Sequence, residues 1–161
     1  MIPENQLHVQ IGQVRIGRTG TYLHALLGSC IGIGFLLPHK GLYGLAHCLL
    51  AASPSPQTQL GARHVDQAIH SLLELMEIRP NERQNVDVFI AGGGIMTRGP
   101  EYDPTSQVGC INSQYAKKSL REHRLHIIHE DIGGCNARKV VIDCTTGTFD
   151  INIIPRLGAV Q

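Results

Sequence analysis

Between Cys30 and Leu50 the chain carries two apolar runs, Cys30 to Leu37 (CIGIGFLL) and Leu42 to Leu50 (LYGLAHCLL), joined by Pro38-His39-Lys40-Gly41. A four-residue link containing Pro and Gly between two such runs is a β-hairpin signal, and it leaves little freedom in register. With Pro38 to Gly41 as the loop, Leu37 faces Leu42, Gly32 faces His47 and Cys30 faces Leu49. Residues i and i+2 share a face, so Cys30 and His47 become diagonal neighbours on one face, with Cα atoms about 7–8 Å apart. Cys48 falls on the opposite face, in the core. A one-residue slip would reverse every one of these assignments.

A thiol and an imidazole in that relation have a specific use. The thiolate is the nucleophile, a thiol of ordinary acidity is mostly protonated near pH 7, and an imidazole can take its proton and later return one to a leaving amine. Gly28, just before Cys30, permits a sharp bend and close approach of a substrate carbonyl, and backbone N–H groups at that turn are candidate oxyanion donors. A dyad predicts that Cys30 labels with iodoacetamide under mildly acidic conditions before the other thiols. On the residues alone, the more frequent outcome is a buried thiol at a strand start and a hydrogen-bonded core histidine.

The rest of the chain supplies the frame. Leu7 to Arg15 and Tyr22 to Leu27 read as strands, and Ala51 to Gly61 as a Pro/Ser-rich loop able to edge a site. Val65, Ala68, Ile69, Leu72, Leu73 and Met76 recur at helical spacing opposite Asp66, Gln67, His70, Glu74 and Glu77, the mark of an amphipathic helix on a sheet. Pro80 and Asn81 follow it, then a strand over Val86 to Ala91, a Gly92-Gly93-Gly94 turn and a loop over Glu101 to Ser106. A second helix is expected over Ile111 to His123, with strands over Leu125 to His129, Lys139 to Cys144 and Phe149 to Ile154. Strand pairs outnumber strand-helix-strand units, so an α+β fold with two main helices is expected, in one domain over residues 1–161.

Composition narrows the function classes. Fourteen basic against thirteen acidic residues leave a net charge of +1, with no field to draw a nucleic-acid backbone or an anionic membrane. At 42% hydrophobic and 17% charged the chain is not disordered, and with no Trp and only three Phe the core is expected to be aliphatic. The N-terminus lacks the pattern of a secretory signal, and no apolar stretch reaches the ~18–20 residues of a bilayer span, so a cytoplasmic protein without membrane insertion is expected. Five cysteines with no CxxC pair argue against a disulfide framework or a paired-cysteine zinc site. Gly92-Gly93-Gly94 lacks the Lys and hydroxyl of a phosphate loop and reads as a tight turn. His123, His126 and His129 lack a shared face for metal binding. Glu130 and Asp131, before Gly133-Gly134, read as turn-forming.

The motifs resemble the chemoreceptor glutamine deamidase family, CheD. Leu27-Gly28-Ser29-Cys30 and Ala46-His47, seventeen residues from Cys to His, are similar to its nucleophile and histidine segments. Arg63-His64-Val65-Asp66, Ile90-Ala91-Gly92-Gly93, Val108-Gly109 with Asn112, Glu130-Asp131-Ile132-Gly133-Gly134, Ala137-Arg138 and Thr146-Gly147 follow its pattern in order. The resemblance implies a layered α/β/β sandwich, Cys30 as nucleophile and His47 as general acid/base. It further implies deamidation of glutamine side chains on chemoreceptor helices, needing no metal or organic cofactor, and a CheC-type phosphatase as a second partner. The chain departs from the pattern at His24, where the family usually has a threonine. His24 is therefore a third candidate, able to orient His47, to replace it as base or to occupy the substrate pocket. Cys135-Asn136 stands for a usual Asn-Arg pair, and Ile111 for a common arginine. The rival reading is a deamidase-like module with weak or no activity that docks onto a receptor or the phosphatase.

Overall fold

The two apolar runs are strands buried at every residue, β4 (Ile31–Leu37) and β5 (Leu42–Cys48), and they pair antiparallel with Leu37 opposite Leu42 and Gly32 opposite His47. The hairpin register is therefore the one the loop implied. Its link is a single 3₁₀ turn over Pro38–Lys40, closed by Gly41 in the left-handed region at φ 59°, whose N–H bonds to the Pro38 carbonyl at 2.9 Å. The computed structural model describes residues 5–55, 59–96 and 107–155.

Around this hairpin the chain adds β1 (Gln6–His8), β2 (Val14–Gly17), β3 (Tyr22–Leu27), α1 (Val65–Leu75), β6 (Asp87–Gly92), α2 (Val108–Glu122), β7 (His126–Ile132), β8 (Ala137–Asp143) and β9 (Thr148–Ile154). Strands β2-β5-β4-β6-β7 form one mixed sheet and β1-β3-β8-β9 a second. Alternation along β4 explains the layers. Ile31, Ile33, Phe35 and Leu37 point to a core shared with Val65, Ile69 and Leu72 of α1 and with Ala116 and Leu120 of α2. Leu36, Tyr43 and Leu45 on the other face, with Phe89 and Ala91, meet Leu23, Ala25, Leu27, Val140 and Ile142 of the second sheet. Helices, five-stranded sheet and four-stranded sheet thus stack as an α+β layered sandwich, both faces of the central sheet being covered as its unbroken apolar strands require.

The core is mainly aliphatic, yet aromatic rings fill one key gap. Phe89 lies over Gly34 and stacks on Phe149 of β9 at 4.3 Å and 14°, joining the two sheets. On α1 the apolar stripe is buried as the periodicity indicated. Gln67, expected on the solvent side, is instead buried, its amide donating to the Gln59 carbonyl at 3.0 Å.

Three expectations change. Leu7 to Arg15 is not one strand: β1 and β2 belong to different sheets, because the chain turns at Gly12 (φ 85°), with the Gln13 N–H on the Gln10 carbonyl. Glu130 and Asp131 are not a turn but part of β7, which pairs with β6 as far as Ile132. Helix α2 begins at Val108 rather than Ile111. The loop expected over Glu101 to Ser106 lies outside the described residues.

Gly34 tests the contact between sheets. A Cβ there would overlap the Phe89 ring, so Gly34→Ala is expected to destabilise the protein by roughly 1–3 kcal/mol through overpacking. Thermal unfolding checks this; an unchanged Tm would mean the ring yields freely.

Candidate active site

Cys30 sits where the chain leaves the four-stranded sheet at Leu27 and enters β4, so one short crossing, Gly28-Ser29-Cys30, links the layers. The glycine triplet holds this crossing. Gly93 N–H donates to the Cys30 carbonyl and Gly94 N–H to the Gly28 carbonyl, both at 2.9 Å. Gly92 adopts φ 106°, and a Cβ there would collide with the Cys30 carbonyl, so the triplet serves close backbone approach, as a tight turn does.

A second layer fixes the triplet in turn. Buried Arg138 donates through Nη1 to the Gly92 carbonyl at 3.0 Å, through Nη2 to the Gly133 carbonyl at 2.5 Å and through Nε to Asp131 at 3.1 Å. Burial without such partners would be costly for a guanidinium. From α2, the buried Asn112 amide donates to the Leu49 carbonyl at 2.9 Å and, more weakly, to the Ser29 carbonyl at 3.4 Å. Asn112 thereby spans the strand end after His47 and the turn before Cys30.

His47 is 4% exposed, near the end of β5, and the β1–β2 connection wraps it. Gly12 N–H donates to the His47 carbonyl at 2.8 Å, and His47 N–H to the Gln13 carbonyl at 3.0 Å. Its ring Nδ1 lies 2.9 Å from the Val9 carbonyl. A carbonyl only accepts, so Nδ1 carries the proton and Nε2 of the neutral ring keeps its lone pair. Burial lowers the His47 pKa, with nearby His8 in the same direction and the Val9 bond opposing. Burial also raises the Cys30 thiol. Burial thus disfavours the charged form at both groups. Both shifts run against a thiolate reactive in mild acid, because desolvation is the largest cause at each group.

Cys48 lies on the helix face, fully buried, its thiol driven far up by burial, as the alternation indicated. Cys144 is pushed up to about 11 for the same reason.

His24 belongs to the four-stranded sheet. On β3 it alternates with buried Leu23, Ala25 and Leu27, facing away from the second core. Its ring stacks on that of His8, its partner across the parallel β1–β3 ladder, at 4.8 Å and 2°. Its carbonyl accepts the Val9 N–H at 2.8 Å. Burial, His8 and Lys139 all lower its pKa. The histidine that reaches the site is His8, which with Gln10, Ile11, Leu26 and His47 lines a cavity of about 400 Å3. Sequence reasoning missed His8, because nothing local marks the parallel pairing that brings it beside His24. Larger hollows of about 560 and 730 Å3 lie against β2 and beside Pro80, without His47, and Cys30 is in the lining of none of the three.

Among the described residues, no group of three or more His, Cys, Asp or Glu is arranged to hold a metal ion, and no helix is long and apolar enough to cross a membrane. His123 bonds to its own helix through the Ser119 carbonyl at 2.7 Å, and His129 packs on Phe149.

Comparison with known proteins finds a family and relatives. The model of the family described as CheD chemotactic sensory transduction matches residues 49–153. A probable chemoreceptor glutamine deamidase CheD 2 from Ruegeria sp. is 42% identical over 96% of this chain and 95% of its own length. Probable chemoreceptor glutamine deamidases CheD from Bdellovibrio bacteriovorus and Archaeoglobus fulgidus are 34% and 30% identical, over 92% and 84% of this chain and 95% and 85% of theirs.

These shifts have a measurable consequence. Alkylation of Cys30 by iodoacetamide, followed by mass spectrometry, is expected to quicken with pH beyond the ordinary thiol value of 9.0, while Cys48 stays unlabelled in the folded protein. Rapid labelling of Cys30 at pH 6 would show a preformed thiolate–imidazolium pair instead.

Proposed function

The chain belongs to the CheD family, and from that premise we propose that it is a cytoplasmic cysteine amidohydrolase that converts glutamine side chains of chemoreceptors to glutamate, releasing ammonia. The observation that carries this reading is the His47 ring: held by Val9 at Nδ1, it offers an Nε2 lone pair from the strand position diagonal to Cys30. The substrate class comes from the relatives, whose names describe chemoreceptor glutamine deamidases.

In the proposed chemistry His47 Nε2 takes the Cys30 proton as Sγ attacks the glutamine Cδ. The carbonyl π-electrons move onto oxygen, and we assign that oxyanion to backbone N–H groups of the Gly28–Cys30 crossing. The tetrahedral intermediate collapses, the C–N bond breaks, and the nitrogen leaves as ammonia with the proton from His47, leaving a thioester. Water, deprotonated by His47, attacks the thioester; the C–S bond breaks, the thiol regains its proton and glutamate is released. Neutral groups suit this cycle, because His47 must act first as base and then as acid. His24 supports the segment that holds His47 through its backbone carbonyl, which accepts the Val9 N–H.

Cys30→Ala and His47→Ala are each expected to abolish ammonia release from a receptor cytoplasmic fragment with the circular dichroism spectrum unchanged. The double variant should lose little more than either one; modest, additive losses would refute the dyad. Because His47 must be unprotonated and its pKa is lowered, the acid limb of kcat/KM is expected below the ordinary histidine value of 6.5. The alkaline limb belongs to the raised thiol and is expected above 9.0. An acid limb above 6.5 would contradict a buried neutral imidazole. His24 touches Val9 through backbone, which substitution preserves, so His24→Thr and His24→Ala are expected to retain activity within about tenfold, under ~1.4 kcal/mol in the barrier. Tight binding to a receptor or a CheC-type phosphatase without ammonia release would favour the docking-only module.

A further inference from the structure

We propose that the cavity beside His47 is a subsite for an apolar side chain that neighbours the target glutamine in the substrate protein, with Ile11 and Leu26 as its gripping walls. The inference rests on the deamidase reading and specifies what that site selects. Ile11 and Leu26 are the two most exposed large hydrophobic residues among those described, at 57% and 52%. They come from separate elements, the β1–β2 connection and the outer face of β3, yet line the same cavity as His47.

The exposure of Ile11 is built in. Its turn is closed by Gln13 N–H on the Gln10 carbonyl at 2.9 Å and by Gln10 N–H on the Gln13 side-chain oxygen at 3.0 Å. It is anchored to the site by Gly12 N–H on the His47 carbonyl. Ile11 thus sits on a turn whose next residue is bonded to the proposed base. Leu26 occupies a solvent-facing strand position where a polar residue is the ordinary choice. Two such side chains converging on one cavity mark a binding site more than scattered exposure does.

The lining also selects the chemistry of the occupant. Among the described residues, no carboxylate, lysine or arginine lines the cavity; its polar members are Gln10, His8 and His47. A charged neighbour of the glutamine would lose water there without a counter-charge. An aliphatic neighbour would bury its own surface and that of Ile11 and Leu26. At about 400 Å3 the cavity lies toward the small end of ligand pockets, which suits one or two side chains.

The test uses the full chain and two short glutamine peptides, identical except for leucine or aspartate beside the glutamine, together with a receptor cytoplasmic fragment. The native protein is expected to deamidate the leucine peptide at least tenfold more efficiently than the aspartate peptide. Ile11→Ser and Leu26→Ser should each cut kcat/KM tenfold or more on the leucine peptide and the fragment, chiefly through KM, and change little on the aspartate peptide. Ile11→Val and Leu26→Met should stay within about threefold of native, and the pH profile and Cys30 alkylation rate should not move. Serine variants that match the native protein on every substrate, or that lower kcat with an altered alkylation rate, would overturn the subsite. Binding of both peptides to the Cys30→Ala protein separates this inference from the reading it rests on. If no substrate yields ammonia, the deamidase reading fails, whereas a leucine preference in binding that is lost with Ile11→Ser or Leu26→Ser still supports the subsite. Equal binding of the two peptides overturns it.

Discussion

The pairing of Gly32 with His47 across the β4–β5 ladder is the constraint from which the site follows. In an antiparallel ladder the register decides the face of every side chain. This register turns Cys48 toward the helices and leaves His47 on the face that looks toward the four-stranded sheet, the side of the central sheet that Cys30 also occupies. Gly32 contributes by having no side chain. A Cβ there would meet the Leu27 side chain at 2.8 Å, so Leu27, the last residue of β3, packs against the strand position opposite His47.

Register alone does not hold a nucleophile still. The crossing that carries Cys30 is held by main-chain bonds from Gly93 and Gly94, and Arg138 holds the end of β6 against the Gly133 turn. Arg138 is buried while its partner Asp131 stays partly exposed, so the guanidinium depends on the two carbonyls as well as on the carboxylate for its hydrogen bonds. Arg138 therefore ties the backbone beside Cys30 to the β7–β8 turn. The Val9 bond to His47 differs in kind. A single such bond contributes about 1 kcal/mol net, and its importance lies in directing the proton to Nδ1 and the lone pair to Nε2.

Burial and reactivity pull against each other here. A thiol raised and an imidazole lowered by desolvation form a poor resting ion pair, but they keep both groups neutral in the range where a base must accept a proton and give it back. The His8–His24 stack lies next in the chain to Val9, so the departure from the family pattern at His24 is accommodated beside the site and leaves the cavity lining to His8.

The hairpin, its register, the amphipathic face of α1 and the α+β class were legible in the sequence, because each follows from local periodicity and one Pro/Gly turn. The motifs carried the family as well. What local pattern could not carry was the fate of Leu7 to Arg15, where a single glycine turn sends β1 and β2 into different sheets and wraps the chain around His47. Nor could it show that His24 meets His8, since parallel pairing between β1 and β3 leaves no periodic trace. The acidity of the pair was likewise decided by tertiary structure: how far Cys30 and His47 lose water depends on which distant segments close over them. Sequence determined which side chains share a face; packing decided what surrounds them, and with it the direction in which burial shifts their acidity.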